Sequence, residues 1–344
     1  MKSVQKTAPG AGLELREVPV PRNPSGTDAI VDIMSVGICG SDIHIDDWSA
    51  GYEFMIPHLP VTIGHEMSGI VREIGPAVTT LRPGDRVVVA PGLNCGTCDA
   101  CRRSDSNGCV NKAIPGFVDN GGMARALKAP ETSVFPIPDA LDLDVAALVE
   151  PMTVCARAAF TAQVQPGDKV VVLGPGTIGQ GIAFMARLHG AAEVLVAGFR
   201  DESRLAVVNR LGLPDTYDLS EDSAFERMKA RIGAADIVFE ATGNPVSIAH
   251  GMSLLRREGK LVVTGIHAGP AEIDLIHMVR QRLQLRASHG ADRADWPYAI
   301  DVLHRHGETL RAMITHRLPL EQALEGFRLA RSREASKVLL QPGG

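Results

Sequence analysis

The sequence predicts an α/β protein of two domains, one rich in β-strands and one built on a doubly wound parallel sheet. Residues 1–89 carry the alternation of apolar and polar side chains that is typical of strands, with little helical pattern. From residue 170 onward, short apolar strands alternate with helical segments, as they do in parallel sheets. A chain of 344 residues is longer than one hydrophobic core usually accommodates, so two domains are expected. We expect the β-rich domain over 1–150 and 290–344 and the doubly wound domain over 151–289.

The composition excludes several classes of function. Hydrophobic residues make up 45% and charged residues 22% of the chain, which is typical of a soluble globular protein. The net charge of -5 does not favour a nucleic-acid partner, and no run approaches the ~18 consecutive apolar residues of a membrane helix. No secretory signal follows Met1, and six cysteines in such a chain indicate a reducing compartment, so we expect a cytoplasmic protein with no membrane partner.

Strands of the first domain are predicted from alternating or β-branched runs. These runs cover residues 13–18, 29–34 and 68–75, and a Pro-Gly turn at 83–84 leads into a further strand that ends at Val89. We therefore expect this part of the chain to form a sheet joined by turns.

A cysteine, a histidine and a glutamate stand in glycine-flanked segments of the same domain. Cys39 lies in the segment 37–44, and His65 and Glu66 follow a glycine about two dozen residues later. A thiol, an imidazole and a carboxylate form a ligand set for a borderline-soft cation such as Zn²⁺, with a fourth position left for water or substrate. Taken singly, Cys39 is better explained as a buried small hydrophobic residue and His65 as a hydrogen-bonded core histidine. Together they predict a catalytic metal site.

Four further cysteines lie within fifteen residues, at Cys95, Cys98, Cys101 and Cys109. Their two-residue spacings let successive thiolates converge on one ion, and four sulfurs leave no open position. We therefore expect a structural zinc site. A disulfide pair is disfavoured in a reducing compartment, and the common spacings of iron–sulfur clusters differ. The sixth cysteine, Cys155, is expected in the core.

A glycine-rich segment follows the first strand of the second domain. The apolar strand 170–173 runs into Gly174, Gly176 and Gly179, and a helix is expected over 180–189. With a strand before it and a helix after it, a G-x-G-x-x-G loop offers backbone amides to a pyrophosphate at the helix N-terminus. The pattern predicts dinucleotide binding.

The remaining elements follow from the same alternation. Before the loop, helical patterns cover 144–149, ending at Glu150 and Pro151, and 153–162. After it we expect strands at 193–197, 236–240 and 260–264, and helices at 202–211 and 245–255. From about residue 290, helices at 298–306 and 320–330 and strands at 314–318 and 337–340 should fold back onto the first domain.

The choice of coenzyme depends on the end of the second strand of this domain. An acidic side chain about 20 residues past the glycines would hold the ribose 2′-hydroxyl of NAD. Gly198 stands there instead, followed by Phe199 and Arg200. A small residue with an arginine behind it accommodates a 2′-phosphate, which modestly favours NADP. The alternative is that Arg200 is a solvated surface charge and that Asp201 contacts the hydroxyl.

These motifs together resemble the zinc-dependent medium-chain dehydrogenases of the alcohol dehydrogenase superfamily. The likeness rests on the segments 37–44 and 64–66, the four cysteines, Glu150-Pro151 and the glycine loop. Glu66 after His65, Glu150 before Pro151 and the segment 314–317 resemble the threonine 3-dehydrogenase and sorbitol (polyol) dehydrogenase branch. The resemblance implies a GroES-like catalytic domain and a Rossmann domain. It also implies hydride transfer between NAD(P) and a small secondary alcohol, either a polyol or a hydroxy-amino acid.

The resemblance also implies roles for single residues. Cys39, His65 and Glu66 would hold the catalytic zinc, with Glu150 as an exchangeable ligand or a residue behind the ligands. Ser41 and His44 would pass the substrate proton outward. The glycine loop and Arg200 would bind the coenzyme together with Thr177, Ile178, Arg204, Thr264, Gly265, Ile266, Ser288 and His289. A homodimer or homotetramer is implied as well.

The predicted chemistry depends on charge. An alkoxide donates hydride far better than a neutral alcohol, and a zinc ion with an open position favours that ionisation near neutral pH. Ser41 and His44 would form a short proton relay, although a turn cap and a surface histidine are the alternatives. A threonine-like substrate would need a cationic partner for its carboxylate, which Arg293 or the segment 46–59 could supply.

A second function remains open on the same fold. A non-catalytic NAD(P)-binding redox sensor or partner subunit would use the glycine loop, but it would not need Ser41, His44 or an open metal position. We therefore expect an enzyme whose partner is a small-molecule alcohol.

Overall fold

The computed structural model describes residues 1–92, 98–103, 108–109, 112, 114–267 and 269–343. The chain divides into two compact units, of which the first comprises Met1–Glu150 with Asp292–Gly344 and the second comprises Pro151–Ala291. Each unit buries a hydrophobic cluster of its own, built mainly from aliphatic side chains. Within the described residues, no helix combines the length and the apolar character needed to cross a lipid bilayer.

Strands dominate the N-terminal part of the first unit. They are β1 (Lys2–Lys6), β2 (Glu14–Glu17), β3 (Asp28–Gly37), β4 (Val61–Thr62), β5 (Glu66–Ile74), β6 (Arg86–Val89), β7 (Ala126–Pro130) and β8 (Val134–Pro136). The helices of this part are α1 (Gly40–Asp47), α2 (Asp99–Arg102), α3 (Leu143–Ala146) and α4 (Val149–Ala162), the last of which continues into the second unit. Pro151 was expected to separate two helical segments, but it lies in the first turn of α4, where its missing N–H has no intrahelical partner to lose.

The second unit alternates strands and helices. Its elements are β9 (Lys169–Leu173), α5 (Thr177–Leu188), β10 (Glu193–Gly198), α6 (Glu202–Arg210), β11 (Thr216–Asp218), α7 (Ala224–Ile232), β12 (Ala235–Glu240), α8 (Pro245–Leu254), β13 (Leu255–Val263), α9 (Leu275–Gln281) and β14 (Gln284–Ala287). β11 and β14 were not predicted, because three or four partly exposed residues give too short a pattern to recognise.

The strands of the second unit form one parallel sheet in the order β11-β10-β9-β12-β13-β14. β9 lies at the centre, and Val170, Val171 and Val172 are completely buried because helices cover both faces. The chain order reverses between β9 and β12, which is the point where α/β sheets bind ligands at the carboxyl ends of their strands. This topology confirms the predicted doubly wound fold.

The C-terminal part of the chain returns to the first unit. It contains α10 (Asp295–Leu310), β15 (Ile314–Pro319), α11 (Ala323–Arg331) and β16 (Lys337–Gln341). A sheet runs in the order β15-β16-β3-β5-β6-β8, with β7 also paired to β3, and a smaller sheet has the order β2-β1-β4. β16 pairs antiparallel with β3 so that Leu339 lies opposite Gly37. The last strand therefore lies beside the segment that leads to Cys39.

Candidate metal centre and coenzyme site

Cys39 stands at the turn between β3 and α1. β3 ends at Gly37, and Cys39 caps the N-terminus of α1 in an extended conformation. The backbone N–H of Cys39 donates a hydrogen bond of 2.9 Å to Asp42 Oδ2, which ties the cap to the first turn of the helix. The half-buried thiol is thus presented at the end of a buried strand.

Strand pairing brings His65 and Glu66 beside Cys39. Glu66 begins β5, which pairs antiparallel with β3 so that Glu66 lies opposite Gly37. A Cβ atom at Gly37 would collide with Glu66 Oε2, so the carboxylate can occupy this place only beside a glycine. The ligand atoms of Cys39, His65 and Glu66 all lie within 4.8 Å of one another. The structure therefore brings together the three side chains expected to bind the catalytic metal.

Asp42 faces His65 from the first turn of α1, and it is absent from the predicted site. Asp42 Oδ1 lies 3.6 Å from His65 Nδ1, and both side chains are buried. On the other side of the ring, His65 Nε2 lies 3.4 Å from Ser41 Oγ. A carboxylate behind a metal-binding imidazole orients the ring and increases its basicity. The signal in the sequence was an aspartate one helical turn after Cys39, between the two proposed relay residues.

Lys337 was also missed. Its Nζ donates hydrogen bonds to Glu66 Oε2 at 2.5 Å, to Glu66 Oε1 at 2.8 Å and to the carbonyl of Ile38 at 3.0 Å. The side chains of Lys337 and Glu66 are only 2% and 1% exposed. No local pattern could have indicated this pair, because the two residues are 271 positions apart and meet only when β16 joins β3.

The electrostatic potential around Cys39, His65 and Glu66 favours positively charged groups. Burial alone lowers the pKa of His65, but Asp42 and Cys39 outweigh that effect and raise the pKa well above its usual value. Burial likewise lowers the pKa of Lys337, but Glu66 and Cys39 reverse the effect and raise it. The same anionic groups that raise these two pKa values would attract a metal cation. The thiol, imidazole and carboxylate donors of the centre therefore fit a divalent metal ion.

The predicted catalytic side chains lie around this centre without forming a continuous chain. Ser41 Oγ contacts His65, whereas His44 Nδ1 lies 3.2 Å from Ser49 Oγ. In the described part of the chain, Ser41 and His44 do not hydrogen-bond to each other. Burial raises the pKa of Glu150 to about 7, an effect that His65 opposes. Glu150 is thus electrostatically coupled to the candidate metal ligands.

Aromatic rings border the centre on one side. The ring of Phe117 lies 5.2 Å from that of His65, and Tyr52 stacks on Phe117 at 6.3 Å and on His44 at 6.2 Å. Phe54, whose side chain is exposed, extends the stack at 6.4 Å from Phe117. Burial raises the pKa of Tyr52 to about 12, so the phenol stays neutral at physiological pH. The surroundings of the centre are therefore aromatic and largely uncharged on this side.

The second sulfur group is described only in part. Cys98, Cys101 and Cys109 offer ligand atoms within 4.8 Å of one another, and Cys95 lies outside the described residues. Cys98 caps helix α2, and its sulfur accepts a 3.5 Å hydrogen bond from the backbone N–H of Cys101. Amide donors of this kind stabilise thiolates that bind metal. Cys155 is buried in the core, as predicted.

The glycine loop of the second unit connects β9 to α5. Thr177 is the first residue of α5, and Ile178 and Gly179 complete its first turn. A Cβ atom at Gly179 would collide with the carbonyl oxygen of Gly174, so the loop can close this tightly only with glycine there. The close packing of helix and strand is what lets the helix N-terminus approach a pyrophosphate.

Two arginines lie near the end of β10, where the acidic residue was expected. Arg200 has a left-handed backbone (φ 51°) and an exposed guanidinium group 5.6 Å from the ring of Phe199. Arg204 donates to both carboxylate oxygens of the buried Asp201, with Nε 2.6 Å from Oδ1. Asp201 is therefore occupied by Arg204, which argues against its role as the ribose-binding carboxylate.

The other predicted coenzyme residues follow β13 and β14. The backbone N–H groups of Thr264 and Gly265 donate to the carbonyl of Glu240, at 2.8 and 3.0 Å, and Ile266 comes next. Ser288 follows β14 and is buried, with its backbone N–H bonded to the carbonyl of Val263 at 3.0 Å, and His289 succeeds it. Because the strands are parallel, these residues share one edge of the sheet with the glycine loop.

The chain resembles known proteins over almost its whole length, and two family models match most of it. Residues 25–139 match the alcohol dehydrogenase GroES-like domain, and residues 177–305 match the zinc-binding dehydrogenase family. The chain is 33% identical to L-threonine 3-dehydrogenase of Saccharopolyspora erythraea over 343 residues, which cover 99% of this chain and 98% of that protein. It is 30% identical to sorbitol dehydrogenase of Halalkalibacterium halodurans over 348 residues, with 99% of each chain covered.

A solved structure shows the same fold. A protein from Sinorhizobium meliloti 1021, assigned as a zinc-binding dehydrogenase and bound to NADP, superimposes with a TM-score of 0.89 at 28% identity and covers 99% of each chain. These similarities confirm the fold class and the resemblance drawn from the motifs.

Proposed function

The chain belongs to the zinc-binding dehydrogenase family, and on this premise we propose that it transfers a hydride between a small neutral secondary alcohol and NADP. Family membership confirms the predicted enzyme class with zinc and NAD(P) as cofactors. The alternative of a non-catalytic redox sensor is not supported, since the relatives are named dehydrogenases. The observation that carries the proposal is the convergence of Cys39, His65 and Glu66.

In the proposed mechanism, Cys39, His65 and Glu66 would hold zinc, with Glu150 as an exchangeable ligand or a residue behind the ligands. A zinc ion supplies a Lewis acid that favours the ionised form of an alcohol near neutral pH. Asp42 orients the imidazole of His65, from which it is separated by 3.6 Å.

Proton transfer in this mechanism uses two further side chains. Ser41 accepts the alcohol proton at Oγ, and His44 carries it outward beside Ser49. The 3.4 Å separation of Ser41 Oγ from His65 Nε2 supports the first step, and the 3.2 Å contact of His44 with Ser49 supports the second. Because Ser41 and His44 are not bonded to each other, a water molecule or a small rotation of a side chain has to link them.

Replacing Cys39 tests the proposal. Cys39→Ser should bind one zinc equivalent less than the wild type and lose at least about 1,000-fold in kcat, since it removes the thiolate ligand without changing the size of the side chain. Metal analysis and NADPH absorbance measure the two effects. Cys155→Ser is the matched control, because this buried thiol is not among the candidate metal ligands and a serine hydroxyl can still donate to the carbonyl of Ile178, so both quantities should stay unchanged. A Cys39→Ser variant that remains active would refute the ligand assignment.

We assign coenzyme binding to the unit Pro151–Ala291, with a preference for NADP. Support comes from Gly198 in place of an acidic residue, from the exposed guanidinium of Arg200 and from the ion pair that occupies Asp201. Arg200→Ala should raise the KM for NADP about tenfold and leave that for NAD within about twofold, because only the 2′-phosphate is ion-paired. Equal changes for both coenzymes would exclude the phosphate contact.

A neutral alcohol is the substrate that the surroundings of the centre favour. The segment 46–59 contains no lysine or arginine. Arg293 donates to the carbonyl of Thr132 and stacks 4.6 Å from the ring of Phe135, so it is already engaged. A hydroxy-amino acid is the second candidate, favoured by the similarity to L-threonine 3-dehydrogenase. Initial rates with polyols, vicinal diols and L-threonine decide between them, and the highest kcat/KM with threonine would overturn the first choice.

We also propose that the chain forms a homodimer or homotetramer through the second unit. β14 is the last strand of the parallel sheet, and the adjacent helix α9 exposes Leu275, Ile276 and Val279 by 64%, 67% and 73%. Apolar side chains this exposed are typical of an interface between subunits. Light scattering should give at least twice the mass of one chain, and Val279→Lys should lower it. A monomeric wild type would contradict the proposal.

A further inference from the structure

Glu240 is a completely buried carboxylate at the carboxyl end of β12. Its Oε1 accepts hydrogen bonds from the N–H groups of Thr242 and Gly243, at 2.7 and 3.1 Å, and from the hydroxyl groups of Thr242 and Ser247, at 2.5 and 2.8 Å. Its Oε2 accepts a bond of 2.8 Å from His267 Nε2. Five donors thus satisfy this buried carboxylate and hold it in one position.

The position of Glu240 relates it to the dinucleotide loop. β12 is the direct neighbour of β9, whose end carries the glycine loop. A Cβ atom at Gly174 would lie 2.8 Å from the carbonyl group of Ala241, so the turn after Glu240 touches the start of that loop. Ligands of doubly wound sheets lie across the carboxyl ends of these neighbouring strands.

Glu240 also holds the segment that follows β13. Its carbonyl accepts hydrogen bonds from Thr264 and Gly265, and its carboxylate binds His267. A Cβ atom at Gly265 would lie only 2.6 Å from Glu240 Oε2, so a larger residue would push the segment away. One residue thus fixes both ends of the stretch from Thr264 to His267, with its backbone at one end and its side chain at the other.

Two unpaired polar atoms lie at the same edge. His267 Nδ1 and Ser288 Oγ are buried, and neither has a hydrogen-bond partner among the described residues. They follow β13 and β14, which are neighbouring strands of the sheet. Buried polar atoms without partners are rare in native proteins, and a polar ligand at this edge is one way to provide partners.

We propose that Glu240 is a positioning residue that, through His267, holds the segment 264–267 in the conformation that receives the nicotinamide half of the dinucleotide. The inference rests on the proposed function. Along the sheet the order is β10, β9, β12, β13, with Arg200 after β10 and the glycine loop after β9. If the adenine end of a dinucleotide lies near Arg200 and its pyrophosphate lies at the glycine loop, the nicotinamide half extends over the ends of β12 and β13. A segment that is already ordered before binding loses less entropy when the coenzyme arrives.

The test compares a whole coenzyme with its adenine half. In Glu240→Gln, Oε1 can keep its four donors, but the amide nitrogen that replaces Oε2 cannot accept a hydrogen bond from His267 Nε2. We expect the Kd of NADPH to rise about tenfold, as for a lost hydrogen bond to a buried charge, while the Kd of 2′-phospho-ADP changes by less than about twofold. Fluorescence quenching measures NADPH, and calorimetry measures 2′-phospho-ADP.

Asp236→Asn is the matched control. Asp236 lies on the same strand at its opposite end, where it accepts a 2.8 Å hydrogen bond from the backbone N–H of Lys169 and pairs with Arg256. The variant Asp236→Asn removes a carboxylate from the same sheet, but at the edge opposite to the proposed binding edge. The Kd of NADPH and the Kd of 2′-phospho-ADP should therefore both be unchanged.

The outcomes separate the inference from the proposed function. A wild type that binds neither NADPH nor NADH refutes the proposed function. If the wild type binds, equal weakening of both ligands in Glu240→Gln, or no weakening of either, overturns the role of Glu240. Should Glu240→Gln fail to fold, His267→Gln decides, because it leaves the four donors on Oε1 in place and should still weaken NADPH selectively.

Discussion

Glu66 and Glu240 are two buried carboxylates that the protein stabilises in opposite ways. Glu66, in the first unit, is paired with a single ammonium group that comes from 271 residues away. Glu240, in the second unit, is surrounded by two backbone amides, two hydroxyl groups and one imidazole, all within 27 residues of it in sequence. The first carboxylate depends on one distant partner, and the second on many nearby ones.

This difference determines how each carboxylate responds to a mutation. In the metal-free protein, removing the ammonium group that pairs with Glu66 leaves a buried charge uncompensated, whereas removing one donor of five from Glu240 leaves most of the hydrogen bonding in place. We therefore expect the centre around Glu66 to be sensitive to single substitutions and the surroundings of Glu240 to tolerate them.

Replacing Lys337 should have the largest effect. Lys337→Met removes the ammonium but keeps most of the apolar volume, and the free energy of unfolding should fall by about 3–5 kcal/mol. Urea denaturation of the metal-free proteins measures the loss. Lys2→Met is the control, because Lys2 and Glu321 form an exposed pair (51% and 49%), so the loss should stay below about 1 kcal/mol. Similar losses in both variants would show that burial of the pair contributes nothing.

Removing both charges of the Glu66–Lys337 pair separates the contribution of charge pairing from that of packing. In the metal-free double variant Glu66→Gln with Lys337→Met, neither side chain of the pair carries a charge, so more than half of the stability lost in Lys337→Met should return. The same denaturation experiment measures the coupling. Losses that simply add would mean that Lys337 stabilises the fold through packing rather than through the charge of Glu66.

The smallest effect is expected at the second carboxylate. Ser247→Ala removes one hydroxyl donor from Glu240 Oε1, which keeps three others, so unfolding should become easier by only about 1 kcal/mol. Thermal or urea denaturation measures this change, and the Kd of NADPH should stay within about threefold of the wild type. A loss as large as that in Lys337→Met would remove the distinction between the two carboxylates.

Much of the candidate site could be predicted because its signals are local. Cys39 and the His65-Glu66 pair stand in short glycine-flanked segments, and the glycine loop lies between a recognisable strand and helix. The sheet of the second unit was predictable for the same reason, because buried parallel strands are continuous apolar runs such as the one in β9.

The partners that support these residues could not be predicted in the same way. Asp42 belongs to the segment for which the sequence predicts a proton relay, and its contact with His65 exists only because β3 and β5 pair in register. His267 lies on a different strand connection from Glu240, and no spacing rule relates the two.

The sequence by itself determined the class of fold and predicted the metal-ligand set and the dinucleotide loop, because each depends on residues that are close together in the chain. Tertiary structure alone decided that Lys337 neutralises Glu66, that Arg204 occupies Asp201 and that His267 binds Glu240. Strand register and packing bring these groups within hydrogen-bond distance. A buried charge has to be paired wherever the fold places it, so its partner is chosen by position in space.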